Sequence, residues 1–252
     1  MAGSQKHEKV VNALVKDIFL GKLKPNTKLP TEKQLSEEMQ VDRTSLRLGL
    51  KQLESMKVLS IRQGDGIYVR DYLKNAGLDF LGLTFEKLEE DTNNLAVDIY
   101  LLDEIWEFWI MFWPPVLELA VKRSSTRDHK ALAQLIDRQE ECISSMDREK
   151  MVELLIAIQD KSAELANNTL VLLLFNSCRP LRRKIIGILF ESMDEEELKE
   201  VVDIEKYFLQ KVVIDTEDDI AEGLNALRER YEAYRRRMRE LMSNSFNMKN
   251  PR

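Results

Sequence analysis

The sequence predicts a mainly α protein in two parts. A small N-terminal head holds three helices and a β-hairpin, and a C-terminal antiparallel bundle holds about six or seven helices. Three observations carry this division. Seven of the nine glycines lie within residues 1–82, and beyond them stand only Gly187 and Gly223. A long segment so poor in breakers and rich in Leu, Glu, Lys and Arg is helical nearly throughout. Charge divides at the same place: residues 1–72 carry 13 Lys/Arg against 9 Asp/Glu, and the remaining 180 carry 25 against 35. Finally, two β-rich runs flanking a glycine-containing turn occur near the end of the basic part.

In the head, Val10, Val11, Leu14, Val15, Ile18 and Phe19 recur at helical spacing, and the helix stops near Gly21. The stretch 23–30, with Pro25 and Pro30, cannot continue it. Thr31-Glu32-Lys33-Gln34 has the form of a capping box opening a second, short helix with Leu35 and Met39 on its apolar side. Gln40-Val41 makes a tight turn, and Asp42 caps a third helix that buries Leu46, Leu50, Leu53 and Met56. The opposite side of that helix presents Arg43, Arg47 and Lys51 at four-residue spacing, with Thr44 and Ser45 in its first turn, and Gly49 permits close approach of a neighbouring helix. Residues 58–62 then turn through Gln63-Gly64-Asp65-Gly66 into residues 67–70 as a hairpin. Three helices followed by a hairpin form a winged helix-turn-helix, whose third helix enters the DNA major groove by its N-terminal end. Base edges are read there by short polar side chains and arginine forks, while cations and amides hold phosphates. A basic head on an acidic body fits the same chemistry, although a solvated charged helix face would show the same periodicity.

The motifs Leu23-x-Pro25-x-x-x-Leu29-Pro30-Thr31-Glu32, Leu35-Ser36, Val41-Asp42-Arg43-Thr44-Ser45-Leu46-Arg47 and Arg62-x-Gly64-x-Gly66-x-Tyr68-Val69 resemble the GntR family of bacterial transcription regulators over about residues 8–70. Asn26 stands where that family usually has glycine, and asparagine tolerates the left-handed backbone such a turn needs. The resemblance implies that Thr31, Lys33, Arg43, Thr44, Ser45 and Arg47 face DNA. It also implies that Gln63 and Gly64, at the wing tip, touch the minor groove or backbone.

The divisions expected are a head over 1–72, a linker over 73–79 and a helical body over 80–252, with residues 78–83 forming a short docking helix at the junction. Helical patterns run through 92–122, 127–146, 149–166, 169–190, 195–214 and 217–242, separated by capping boxes at Ser125 and Thr216. Pro114, Pro115 and Pro180 are expected to kink or interrupt their helices. This plan resembles the effector domain of the FadR-like branch of the family, with Ala166-Asn167-Asn168-Thr169-Leu170 as a degraded form of its turn. Many members hold a metal between one Asp and three His. The corresponding positions fall on Leu155, Gln159, and near Phe208 and Arg230, none a good ligand, so no metal or other cofactor is expected.

Trp106, Trp109 and Trp113 share one helix face, with Trp109 where the family often places an anion-gripping arginine. Plain core packing accounts for such a stripe. The sharper alternative is an apolar effector pocket of Trp106, Trp109, Trp113, Gln159, Phe208 and Arg230, similar to that of fatty-acyl-CoA-responsive members. The arginines between 228 and 239 would either meet a ligand's phosphates or form a solvated helix face.

The expected function is a cytoplasmic, homodimeric regulator that binds a palindromic operator in double-stranded DNA and responds to a small effector. The runners-up are a metal-dependent, organic-acid-responsive regulator of the same family and a ligand-independent architectural DNA binder. An enzyme is disfavoured: the sequence has two histidines, His7 and His129, and none of the phosphate-loop, dinucleotide, nucleophile-elbow or zinc-protease motifs. Cys142 and Cys178 stand alone, which suits a reducing compartment. No membrane partner is expected, because the longest apolar stretch, residues 108–117, has half of the roughly 20 residues a bilayer demands.

Overall fold

A computed structural model describes residues 2–88, 99–214 and 216–249, with side chains described at 6–84, 103–214 and 216–241. The described residues form eleven helices and one two-stranded sheet, in two compact units, Met1–Ala96 and Val97–Arg252. Among them no helix is long and apolar enough to cross a membrane.

In the first unit, α1 (Ala2–Phe19) buries Val10, Val11, Leu14, Val15 and Ile18 and ends two residues before Gly21, whose φ is +70°. Asn26 adopts φ +67°, so asparagine does supply the left-handed turn. The proline-rich loop is not free coil. The Leu29 N–H donates to the Ile67 carbonyl (2.8 Å) and the Val69 N–H to the Thr27 carbonyl (2.9 Å), so the loop pairs with the hairpin as an extra extended segment. Helix α2 (Glu32–Glu38) starts from the capping box of Thr31 and Gln34, and α3 (Arg43–Ser55) from the Asp42 cap. Strands β1 (Leu59–Arg62) and β2 (Gly66–Val69) pair antiparallel, with Leu59 opposite Val69 and Arg62 opposite Gly66. At Gly49 an added Cβ would lie 2.9 Å from Val10 Cγ1, so the glycine allows α1 and α3 to close on each other.

The unit's boundary lies further along the chain than residue 72. Residues 73–79 are largely helical, as α4 (Tyr72–Asn75) and the start of α5 (Leu78–Leu88). Phe80 is buried in the head core, its ring tilted against that of Tyr72 at 5.4 Å, and Tyr72 in turn lies 6.0 Å from Phe19. Leu83 packs on the same core. The docking helix therefore belongs to the head, because its apolar face completes the core that α1 leaves open.

The second unit contains α6 (Ile99–Val121), α7 (Thr126–Glu141), α8 (Arg148–Leu165), α9 (Thr169–Glu191), α10 (Glu195–Ile214) and α11 (Glu217–Lys249). Helix α6 packs on α8 and α11, α7 on α8 and α10, α8 on α9, and α10 on α11. Met151, Leu189, Phe190, Leu198 and Met238 are fully enclosed. Ser125 and Asp128 form a reciprocal capping box, Thr216 accepts the Asp219 N–H (3.1 Å), and Asn168 accepts the Leu170 and Val171 amides. The prolines do not interrupt their helices: α6 runs through Pro114 and Pro115, and α9 through Pro180. Pro114 is itself buried, between Trp113 and Val116, so packing offsets the lost backbone bonds.

Candidate nucleic-acid interface

The start of α3 is built by its cap. One Asp42 oxygen accepts the Ser45 N–H and the other the Ser45 hydroxyl, each at 2.9 Å, and these bonds hold the Asp42 carboxyl below the usual carboxylate range. Ser45 is therefore turned inward and only 4% exposed. Its hydroxyl braces the helix start, which corrects the expectation that this side chain faces DNA. Arg43, Thr44 and Arg47 are exposed on the outer side of the same turns. Lys33 is exposed on the first turn of α2, where the Thr31 hydroxyl is committed to Gln34 (2.7 Å). The two helices are joined by Arg47, whose Nε donates to Glu32 Oε2 at 2.8 Å. Arg43 and Lys33 have no ion-pair partner among the described residues.

The wing tip presents exposed Gln63 and Gly64, the latter at φ +78°. Two cations beside them were not singled out by the sequence reading. Arg62 lies 4.5 Å over the Tyr68 ring, and Lys28 reaches Asp65 at 3.4 Å. The Tyr68 hydroxyl donates to Asp65 (2.8 Å), and this bond, followed by the Lys28 charge, keeps the Asp65 carboxyl low. Lys28 sits 40 positions from Tyr68 in sequence and arrives there through the loop's backbone pairing, a contact that no local pattern announces.

In the second unit, two adjoining cavities open among α6–α11. One encloses about 640 Å³ including its mouth and is lined by Trp113, Gln159, Glu205, Phe208 and Tyr231 among others. The other, about 770 Å³, is lined by Trp106, Trp109, Gln159, Arg182, Glu205 and Tyr234 among others. Five of the six expected pocket residues thus meet here. Arg230 does not: it pairs with Glu200 outside the lining. The rest of its arginine run is largely engaged as well, with Arg235 and Arg239 on Asp103 and Arg237 on Glu197. Those two guanidinium groups hold the Asp103 carboxyl far below its ordinary range. Sequence reading missed Arg182, which is 4% exposed and donates to Gln159 (2.8 Å), Asp160 (2.6 Å) and the Phe175 carbonyl (3.1 Å). It also missed Glu205, Tyr231 and Tyr234, whose helical spacing alone makes them ordinary core positions. Leu155 and Gln159, the positions matching the family's metal ligands, do line the cavities. One carboxylate and the imidazole of His129 are too small a donor set for a divalent metal. Among the described residues no three His, Cys, Asp or Glu cluster as metal ligands.

The family model for bacterial regulatory proteins of the gntR family matches residues 6–69. The transcriptional regulator Mce2R of Mycobacterium tuberculosis is 33% identical over 117 residues, 46% of each chain. The mannosyl-D-glycerate transport/metabolism system repressor MngR of Escherichia coli is 30% identical over 132 residues, 50% of this chain and 55% of its own. The match therefore spans about half the length of these relatives, a transcriptional regulator and a repressor. For the whole fold, the Listeria monocytogenes protein Lar superposes with a TM-score of 0.57 at 16% identity, covering 93% of this chain and 97% of its own.

Proposed function

We propose, from the gntR-type DNA-binding head that residues 6–69 form, that the chain is a dimeric transcription regulator of the FadR-like branch. In this reading it recognises a palindromic operator and its helical body senses a small effector. The observation that carries this function is the exposed Arg43 on the first turn of α3, without an ion-pair partner among the described residues and flanked by Thr44, Arg47 and Lys33. Arginine forks read guanine edges, and lysine holds phosphate. Thr31 sets the start of α2, Gln63 and Gly64 meet the adjacent groove or backbone, and Lys28 and Arg62 add phosphate contacts at the wing. Such a protein works in the cytoplasm, where its operator is.

Dimerisation through the body is supported by the apolar residues that α6 and α9 leave exposed: Phe108, Met111, Leu170 and Leu173. The effector reading is supported by cavities that suit a compact apolar body. A nucleotide-bearing acyl-CoA fits less well, because Arg230, Arg235, Arg237 and Arg239 already hold carboxylates. An effector alters DNA affinity only as far as it prefers one dimer arrangement over the other.

The test is selection of operator sequences from a random pool, followed by titration of Arg43→Ala. Loss of about 5–150-fold in operator affinity relative to random DNA is expected for a base-reading arginine. An unchanged ratio refutes the assignment, and uniform coverage of DNA by the wild type would favour the architectural reading.

A further inference from the structure

Leu155, Gln159, Glu205, Leu227 and Tyr231 line both cavities and stand between them. Glu205 is the acid in this set, and its Oε2 is buried with no hydrogen-bond partner among the described residues. A carboxyl group so placed is costly unless something else meets it. Elsewhere in the bundle, Asp103, Asp160 and Glu197 all find guanidinium partners, so the absence of one here is not the pattern of this unit.

The surroundings fit a cation. Trp113, Phe208 and Tyr231 line the first cavity, and Trp106, Trp109 and Tyr234 the second. Aromatic faces are electron-rich and attract ammonium groups, most strongly when water is excluded. A carboxylate or phosphate would instead meet Glu205 as a like charge. Arg182, the cation of the second cavity, spends both terminal nitrogens on Gln159, Asp160 and the Phe175 carbonyl and keeps only its Nε without a hydrogen-bond partner among the described residues.

We propose that the bundle takes an organic ammonium compound with an apolar body, its nitrogen against the Glu205 carboxylate among Trp113, Phe208 and Tyr231. The hydrocarbon part lies along Leu117, Ile136 and Leu155. This rests on the reading of the body as an effector domain and gives the effector's class. The groups lining the cavities around Glu205 are Trp106 and Trp113 from α6, His129 from α7, Gln159 from α8, Cys178 and Arg182 from α9, and Tyr231 and Tyr234 from α11. Burial holds both tyrosines and the thiol in their neutral forms by raising their pKa, and pushes Glu205 itself up to about 8. An arriving ammonium reverses that shift, so binding expels the Glu205 proton to solvent.

The experiment is isothermal calorimetry on the full chain at pH 7 in buffers of different ionisation enthalpy. The probes are hexylamine and phenethylamine, with hexanol, 2-phenylethanol and hexanoate as matched controls. The amines are expected to bind with release of about one proton per site, because a carboxyl with a pKa near 8 is mostly protonated at pH 7. E205Q should weaken amine binding about 10–100-fold, the range for losing a charged hydrogen bond, and abolish the proton release. F208L, which leaves the carboxyl in place, should weaken the amines more than the alcohols. The proposal is overturned if no amine binds, if an alcohol or hexanoate binds as tightly, or if E205Q keeps the amine affinity. If the amines bind with proton release and operator affinity does not change, the ammonium site stands and the effector reading falls.

Discussion

Replacing Glu205 with glutamine should change how stability depends on pH. The carboxyl's ordinary value is 4.5, and burial, with no compensating partner, raises it to about 8 in the folded chain. Between these values the folded state holds a proton that the unfolded chain has released, so stability falls as pH rises through the window and levels off above it. At pH 7 the carboxyl costs about 3 kcal/mol, since 2.5 pH units above its unfolded value correspond to that at 1.36 kcal/mol per unit. At pH 5 the cost is under about 1 kcal/mol. Glutamine keeps the shape and any fixed desolvation cost but cannot ionise. The E205Q variant should therefore gain on the wild type by about 2 kcal/mol between pH 5 and pH 7. Urea titrations of both proteins at pH 5, 6, 7 and 8 measure this directly. Contributions from the chain's other titratable groups are common to both proteins and cancel to first order in the difference. Parallel stability profiles would show that Glu205 ionises in the fold as readily as in the unfolded chain, which would refute a desolvated carboxyl at this position.

Other perturbations act in the head. Glu32→Gln releases Arg47 from its 2.8 Å contact and removes a negative charge beside the turn proposed to face DNA. An exposed pair of this kind is worth a few tenths to 1 kcal/mol, so fluorescence anisotropy should show operator binding tighten by about 1.5–5-fold, and weakening would contradict the placement of Arg47. Ser45→Ala removes a hydroxyl bonded inside the cap; thermal melts should show a loss of about 1 kcal/mol, with the operator-to-random affinity ratio unchanged. A changed ratio would mean that Ser45 reads DNA after all. Gly49→Ala places a Cβ 2.9 Å from Val10 Cγ1 and 3.2 Å from the His7 carbonyl. Overpacking of about 1–3 kcal/mol outweighs the roughly 1 kcal/mol gained in helix propensity, so the melting temperature should fall, and a rise would show that α1 yields easily.

Most of the head was legible because its signals are local. Thr31 with Gln34, Asp42 ahead of α3, Asn26 in its turn and glycines at the hairpin each fix backbone within a few residues. The exceptions are contacts across the sequence. Lys28 on the wing and Phe80 in the head core depend on which surfaces are left uncovered once the helices have packed. Ser45 shows the same limit from the other side, since its sequence position is right for DNA and its rotamer is taken by the Asp42 cap.

In the body, apolar spacing and caps delimit the helices of the bundle, and the tryptophan stripe marks the helix face that turns inward. Periodicity records that a side chain is inside, but not what it meets there. Glu205, Tyr231 and Arg182 look like unremarkable helix residues until α8, α9, α10 and α11 come together around Gln159. The chain's own order of residues determined a basic three-helix head with a wing and an acidic helical body, because hydrogen-bonded caps, turns and apolar stripes act over a few positions. Tertiary packing alone decided that one carboxyl group would stand without a partner among aromatic rings, because desolvation and charge pairing depend on distances between helices far apart in the sequence.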